Sequence, residues 1–196
     1  MDRESSQKEV LNELIMRRRS KRAISEEELT EADLEKLARA AHLAPSCFNN
    51  QPWRFVLVEE SAKLGRIKES LPGGNYWAKK APLIVAVVSR QDMDCELSGG
   101  RIYYKFDCGL AVENLLLQAT EMGLVAHPIA GFNPEVTREV LNIPAEFDLI
   151  TLVVIGKPGD PEELSDKHRE VELGERKRLP LEDVVSKNEF DDLRAG

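Results

Sequence analysis

The sequence predicts a fold that mixes α-helices and β-strands, with helix outweighing strand. Three short apolar runs that are typical of strands alternate with longer segments whose apolar residues recur at helical spacing. The chain has no internal repeat and no long linker, and 196 residues are enough for one domain with a full hydrophobic core. We therefore expect a single domain over residues 1–196, with a C-terminal arm from about residue 157.

The first half of the chain contains three helical patterns and two strands. Helices are predicted over residues 6–19, from Thr30 to a point before Pro45, and over 61–70; strands are predicted over 54–58 and 82–89. Thr30 and Asp33 have the spacing of a capping box at a helix start. The run over 82–89 is apolar almost throughout, so we expect a strand that is covered on both faces.

The second half is dominated by the longest helical pattern, over residues 102–122, with Gly123 as its C-cap. Its apolar residues are dense enough to predict a central helix that a second subunit could share. The remaining elements are a strand over 124–130, a helix over 134–141, a strand over 148–156, an extended arm over 157–174, a short helix over 181–185 and a mobile tail after Ser186.

Composition and charge argue against several classes of function. A formal net charge of -8 disfavours nucleic-acid binding, because phosphate contacts require basic surface. No apolar run has the roughly 20 residues that cross a bilayer, and the charged N-terminus lacks a signal peptide's apolar core. Cys47, Cys95 and Cys108 are widely spaced and show no metal-ligand pattern, which predicts free thiols. We expect a cytoplasmic protein without a nucleic-acid or membrane partner.

Two basic clusters stand out in this acidic chain. The first contains five cations within six residues, Arg17, Arg18, Arg19, Lys21 and Arg22, and the second runs over 176–178. A helix C-terminus favours a cation or two, but repulsion among five is costly unless an anion lies between them. Arginine presents a planar fork of donors to phosphate, so we expect an anion site of that kind.

The segment over residues 44–55, APSCFNNQPWRF, carries few charges and is crowded with small, amide and aromatic side chains. It could present hydrogen-bonding edges to a flat ligand, or its amides could satisfy their own backbone in a turn-rich connection. Gly73-Gly74-Asn75 allows the same two interpretations. One ligand would explain both basic clusters and both loops: a phosphate tail on a planar heteroaromatic head, as in flavin mononucleotide (FMN). A dinucleotide fingerprint after a strand and a Walker-type loop are both absent from the sequence.

These motifs, in this order, resemble the flavin-dependent nitroreductase family over nearly the whole chain. The matching segments are Arg18-Arg19-Ser20-Lys21-Arg22, Ala44-Pro45-Ser46 with Asn50-Gln51-Pro52-Trp53, Gly74-Asn75-Tyr76, Pro128-Ile129-Ala130-Gly131-Phe132 and Ile155-Gly156-Lys157-Pro158. The resemblance implies an α+β fold with a central, mostly antiparallel sheet flanked by helices, in an intertwined homodimer. It also implies FMN at the subunit interface and a ping-pong reaction in which NAD(P)H reduces the flavin and a small-molecule acceptor reoxidises it.

The resemblance further implies which residues bind the cofactor. Phosphate and flavin-edge contacts would come from Arg18, Ser20 and Arg22, with Arg19 contributing through its backbone and with Arg176 and Arg178 from the second cluster. Pro45, Ser46 and Cys47, with Asn50 of the same motif, would lie against the ring. Asn75 would bond the polar edge of the ring, and the loop at Ala130 and Gly131 would direct a backbone N–H at the reactive flavin nitrogen. No side chain is expected to act as a catalytic acid or base, and no metal is expected.

Three departures from the family pattern leave alternatives open. Many members carry an acid where this chain has Ala130, and Cys47 stands where serine or alanine is common; its thiol could tune the flavin or be a small filler. The lid segment, roughly residues 92–100, is brief, so substrate choice stays open. The alternatives are a flavin-dependent dehalogenase or a flavin-destroying enzyme of the same family, a non-catalytic flavin-binding or storage protein, and a dimeric scaffold with unused basic patches.

Overall fold

The computed structural model of the chain describes residues 11–190. The helices within this range are α1 (Glu13–Arg17), α2 (Glu31–His42), α3 (Ser61–Glu69), α4 (Tyr104–Glu121), α5 (Pro134–Leu141) and α6 (Asp166–Leu173). The strands are β1 (Arg54–Val58), β2 (Leu83–Ser89), β3 (Val125–Ile129) and β4 (Asp148–Gly156). Among these described helices, none is both long and apolar enough to cross a bilayer.

The four strands form one sheet in the order β1-β2-β4-β3, and every neighbouring pair is antiparallel. This confirms the predicted α+β fold with an antiparallel central sheet. The register places Arg54 opposite Val88 and Ile129 opposite Leu152. The start of β1 and the end of β3 therefore lie at the same end of the sheet, on its two outer edges.

Strand β2 is the centre of the hydrophobic core. All seven of its residues are buried, and successive side chains point to opposite faces of the sheet. Ile84 and Ala86 pack in the cluster that includes Ile67 of α3, whereas Val85 and Val87 pack with α2 and α4 on the other face. The prediction of a strand covered on both faces is confirmed.

Local sequence signals account for several helix boundaries. The Thr30 hydroxyl accepts a hydrogen bond of 3.2 Å from the backbone N–H of Asp33, and the Asp33 carboxylate accepts one of 3.0 Å from the Thr30 N–H, which is the predicted capping box. Asn133 caps α5 by accepting from the next two free N–H groups, with Pro134 in the first turn. Gly123 has a φ of +71°, a conformation that costs glycine little, just after α4.

The segments outside the sheet differ more from prediction. The first helix ends at Arg17 rather than Arg19, and its predicted start at residues 6–10 lies outside the described residues. The arm predicted as extended over 157–174 contains α6, and the short helix predicted over 181–185 is one 3-10 turn over Leu181–Asp183. The last six residues of the predicted mobile tail also lie outside the described range.

The prediction of three free thiols is wrong. Cys47 and Cys95 form a disulfide with a Cα–Cα distance of 6.2 Å, and only Cys108 of the three is a free, buried thiol. The two cysteines are 48 residues apart, and the sequence gives no measure of how the loop after α2 packs on the segment after β2. Cys47 is therefore neither a free thiol nor a simple filler.

Candidate functional site

A strongly cationic cavity of about 480 Å³ lies between the segment over residues 18–22 and the C-terminal arm. The side chains that line it carry seven positive and three negative formal charges, an excess of four in a chain whose net charge is -8. The lining residues are Arg18, Arg19, Ser20, Lys21, Arg22, His127, Glu170, Val171, Glu172, Gly174, Glu175, Arg176, Lys177 and Arg178. The structure thus brings together the two basic clusters, which lie near opposite ends of the sequence.

Two arginines of the cavity hold its walls together. Arg176 donates hydrogen bonds to the carbonyl oxygens of Ile15 (3.2 Å), Met16 (2.9 Å) and Arg18 at the end of α1. Arg19 donates to the carbonyls of Val171 (3.2 Å) and Gly174 (3.0 Å) at the end of α6. Each guanidinium therefore satisfies carbonyls that a helix end leaves free. This use of the Arg19 side chain is compatible with the expectation that its backbone faces the ligand.

The other cationic side chains of the cavity make longer or fewer contacts. Arg18 lies 3.6 Å from Glu113 and 3.4 Å from the Ser20 hydroxyl, which are long contacts. Among the described residues, no acidic partner lies within ion-pair distance of Lys21, Arg22 or Lys177. Burial, followed by the positive charges of Arg18, Arg178 and Arg19, lowers the pKa of Arg176. Cations that lower one another's pKa in this way would be stabilised by an anion among them.

Glu172 of α6 organises the floor of the cavity. Its carboxylate is buried and accepts hydrogen bonds from the backbone N–H groups of Arg22 (2.8 Å) and Ala23 (3.3 Å). These bonds fix the backbone that carries Arg22. Nothing in the sequence distinguishes Glu172 from the other acids of the arm, so its role was not predictable.

His127 of β3 closes the inner side of the cavity. Its Nδ1 lies 2.9 Å from the carbonyl oxygen of Lys21, and because a carbonyl only accepts, Nδ1 carries the proton. Its ring lies 4.7 Å from the Trp77 ring. Burial lowers the pKa of His127, so the neutral ring with a free Nε2 is the favoured form near neutral pH. This arrangement gives His127 a structural role at the cavity wall.

Asn75 and Gly131, both predicted site residues, lie in contact with each other. The Asn75 Nδ2 donates a hydrogen bond of 2.6 Å to the Gly131 carbonyl, and none of the described residues donates to its Oδ1. A Cβ atom at position 131 would lie 3.2 Å from that Nδ2, so glycine permits the close approach. Ala130 is exposed beside it, at the end of β3.

The loop from Pro45 to Asn50 is held in place by several contacts. The backbone N–H of Cys47 donates 2.8 Å to the buried Asp107 carboxylate, and the Ser46 hydroxyl accepts 3.0 Å from the Gln51 N–H. Asn50 lies 3.4 Å from Asp94. Phe48 and Asn49 in this loop, and Gln51 just after it, have left-handed backbone conformations. Asp107, buried at the start of α4, is a further residue that the sequence patterns did not single out.

The predicted site residues do not all lie together in the single chain. The arginines and Ser20 share the cationic cavity, and Asn75 joins Ala130 and Gly131 at the end of β3. The described residues of the loop from Pro45 to Asn50 do not line that cavity. They precede β1, at the opposite edge of the sheet from β3.

Comparison with known proteins shows which family and which solved structures the chain resembles. The family model described as the nitroreductase family matches residues 15–71 and 66–157. A crystal structure described as an oxidoreductase containing FMN superposes with a TM-score of 0.82 at 33% identity, covering 94% of both chains. A protein of Archaeoglobus fulgidus provisionally named NADH dehydrogenase/NAD(P)H nitroreductase is 30% identical over 75% of this chain and 84% of its own length. The iodotyrosine deiodinase of Thermotoga neapolitana is 30% identical over 78% of this chain and 90% of its own length.

Proposed function

This chain belongs to the nitroreductase family, and from that membership we propose that it is an FMN-dependent oxidoreductase. The donor is NAD(P)H, the acceptor is a nitroaromatic, a quinone or a similar small molecule, and the two react in a ping-pong sequence. The observation that carries the proposal is the cavity in which cations from both ends of the chain converge with a formal excess of four positive charges. In this proposal residues 1–196 form one FMN-binding domain.

The residues of the cavity fit the phosphate of FMN. Arg18 and Arg22 offer forked donors that make only long side-chain contacts, or none, with the described residues, and Ser20 adds a hydroxyl. Arg176 and Arg19 keep the walls in place through backbone carbonyls, so that binding an anion requires little reorganisation. Arg178, whose side chain donates to the carbonyl of Lys177, completes the second cluster.

The polar edge of the flavin would lie at the end of β3. Asn75 is already oriented by Gly131, so its Oδ1 can accept a hydrogen bond from a ring N–H. The backbone N–H groups at Ala130 and Gly131 would stabilise negative charge on the reduced ring. Because Ala130 has no carboxylate, this role depends on backbone donors alone, and any nicotinamide contact that an acid makes in relatives is missing.

We further propose that the active form is a homodimer with FMN at the interface. The loop with Pro45, Ser46, Cys47 and Asn50 would then face the ring bound by the partner's arginines, which would unite the groups that one chain keeps apart. Large apolar side chains that are exposed on α1, α4 and the arm support such an interface, because burying them against a second chain would be favourable. They include Ile15, Met16, Phe106, Leu179, Leu181 and Val184.

The chemistry that bound FMN supplies is two-electron transfer from NAD(P)H to the acceptor. The residues of the chain hold the phosphate, fix the register of the ring and orient its polar edge. Hydride transfer itself requires no side-chain acid, and His127, whose Nδ1 is engaged with Lys21, serves to hold the backbone of the first basic cluster.

Reductive dehalogenation is the second candidate function. It is favoured by the similarity to the Thermotoga neapolitana deiodinase, which covers 78% of this chain. The brief lid over residues 92–100 leaves the surface above the ring open to either class of substrate.

Anaerobic titration of the FMN-loaded protein with NADH or NADPH tests the proposal. We expect bleaching of the flavin absorbance, followed by reoxidation when a nitroaromatic or quinone is added. Bleaching without reoxidation by either acceptor, but with release of iodide from an iodophenol, would favour the dehalogenase. Bound FMN that no reduced nicotinamide bleaches would leave a binding or storage protein.

A further inference from the structure

Phe48 is an aromatic residue that the fold leaves in solvent and in a strained backbone conformation. It is 88% exposed. Its φ of +47° and ψ of 22° lie in the left-handed region, which bulky residues rarely adopt. Exposure forgoes the favourable burial of the ring, and the left-handed backbone adds a conformational cost. A residue that carries both costs within one loop indicates a function for its position.

Contacts on both sides of this phenylalanine hold the strained turn. Before it, Cys47 is bonded to Cys95, and the Cys47 N–H donates a hydrogen bond of 2.8 Å to the buried Asp107 carboxylate. After it, the Gln51 N–H donates a hydrogen bond of 3.0 Å to the Ser46 hydroxyl. Strained conformations persist where the surrounding structure over-determines them, and they concentrate at binding sites. The exposed ring is therefore presented at a fixed place rather than left loose at a loop tip.

The ring of Phe48 has no aromatic or cationic partner in the part of the chain that the structure describes. It is the only aromatic residue over 44–52, and residues 91–100, which the disulfide joins to this loop, contain none. Aromatic rings pack favourably against other flat rings, in offset or edge-to-face arrangements. Of these two segments, the loop alone can offer an aromatic face to a planar ligand, and Phe48 supplies it.

We infer that Phe48 is a specificity-determining residue that packs on the face of a planar aromatic acceptor. The inference rests on the proposed function, in which Pro45, Ser46 and Cys47 lie against the flavin that the partner's arginines bind. Phe48 follows Cys47 directly, so its ring stands at the edge of the same surface. The acceptor then lies between two flat faces, the flavin that reduces it and the phenylalanine that covers it.

This role separates binding of the acceptor from its reduction. Electrons reach the acceptor from the flavin, and the phenyl ring neither gives nor takes a proton. A contact that is equally strong for the bound acceptor and for its transition state lowers KM and leaves kcat unchanged. Phe48 should therefore favour quinones and nitroaromatics over compact acceptors without a ring, such as ferricyanide.

Binding is measured on the oxidised, FMN-loaded protein without NAD(P)H, so that no turnover occurs. Menadione, a planar quinone, is titrated while the flavin absorbance bands are followed. Phe48→Ala should raise the Kd about tenfold through the loss of one aromatic contact, and Phe48→Tyr should retain the wild-type value. Equal Kd values in Phe48→Ala and the wild type would overturn the inference.

Two further variants separate the ring from the backbone and from exposed apolar surface in general. Asparagine tolerates the left-handed conformation but has no ring, so Phe48→Asn should weaken menadione binding as much as Phe48→Ala does. Leu43→Ala removes another exposed apolar side chain and should bind menadione like the wild type. Wild-type affinity in Phe48→Asn would overturn the role of the ring.

Steady-state kinetics and sedimentation distinguish this role from a structural one. In Phe48→Ala the KM for menadione should rise about tenfold at an unchanged kcat, whereas turnover of ferricyanide should match the wild type. An equal loss with both acceptors would overturn the inference. Dissociation of Phe48→Ala into monomers, where the wild type is a dimer, would also overturn it, because the ring would then belong to the subunit interface.

FMN content and bleaching by NAD(P)H report on the proposed function separately. If the wild type retains FMN and is bleached, but menadione binding does not depend on Phe48, only this inference is lost. A wild type that binds no FMN would overturn the proposed function and, with it, this inference.

Discussion

Glu172 accepts a hydrogen bond of 2.8 Å from the backbone N–H of Arg22, which lies 150 residues earlier in the chain. The same carboxylate accepts the Ala23 N–H at 3.3 Å. One buried acid thus joins the two ends of the sequence at the cationic cavity. The predictions that follow begin with this contact, because the geometry of the proposed phosphate site depends on it.

Replacing Glu172 with Gln should destabilise the fold. The amide has the size of the carboxylate but loses its charge and presents an NH₂ group that cannot accept, so we expect a loss of about 1–3 kcal/mol in the free energy of unfolding. Chemical denaturation measures the loss. Glu175→Gln changes an exposed neighbour and is the control. Equal stability of the two variants would contradict the role assigned to Glu172.

Changing Arg18 and Arg22 together to Ala should release FMN. Each charge-assisted hydrogen bond to a phosphate contributes about 1.5–3 kcal/mol, so losing both should raise the Kd at least ~100-fold. The ratio of flavin absorbance to protein absorbance after gel filtration gives the result. Arg39→Ala with Arg66→Ala removes two exposed arginines outside the cavity and controls for net charge. Full FMN retention in the first double variant would remove the phosphate assignment.

His127 should make stability depend on pH on the acidic side of neutrality. Burial lowers its pKa below the usual value near 6.5, so the unfolded chain binds more protons than the folded one in that window. Stability should therefore be complete above about pH 6.5 and fall as the pH drops towards the lowered pKa. Urea unfolding from pH 5 to pH 8 should show a flatter profile for His127→Gln than for the wild type.

The exposed His42 provides the control for that comparison, and His42→Gln should retain the slope of the wild type. His168, whose pKa is also lowered chiefly by burial, contributes a slope of the same sign to all three proteins. Equal slopes in His127→Gln and the wild type would show that protonation of His127 is not linked to folding.

Gly131→Ala should disturb the polar edge of the proposed flavin site. The added Cβ would lie 3.2 Å from the Asn75 Nδ2 and should displace that amide. We expect weaker FMN binding and slower reduction by NAD(P)H, measured by fluorescence titration and stopped-flow absorbance. Gly65→Ala places the same methyl group in a helix with no atom within 4 Å, and should raise stability by up to about 1 kcal/mol without changing either rate. Equal flavin affinity in both variants would contradict the role of Gly131.

The sheet was predictable because its signals are local. The run over residues 148–156 is bounded and apolar, and β4 occupies the same residues. The Asn133-Pro134 pair likewise defines the start of α5. The helix in the arm was harder to predict. Most residues of α6 are charged and its one buried residue is an acid, Glu172, so no apolar periodicity marks the helix.

The candidate site was predictable in its parts rather than in its assembly. Clustered arginines at positions 18–22 and 176–178 indicated an anion site, and they do share a cavity. The Cys47–Cys95 pairing and the buried Asp107 depend on how two loops pack, which no spacing along the chain reveals. Whether a second chain completes the flavin site also lies beyond the sequence pattern.

The central claim is that the cationic cavity binds the phosphate of FMN, and the absorbance spectrum of the purified protein tests it most directly. We expect flavin bands, and after denaturation a released chromophore with the mass of FMN, one per chain. A colourless, folded protein that gains no flavin absorbance when titrated with FMN would contradict the account.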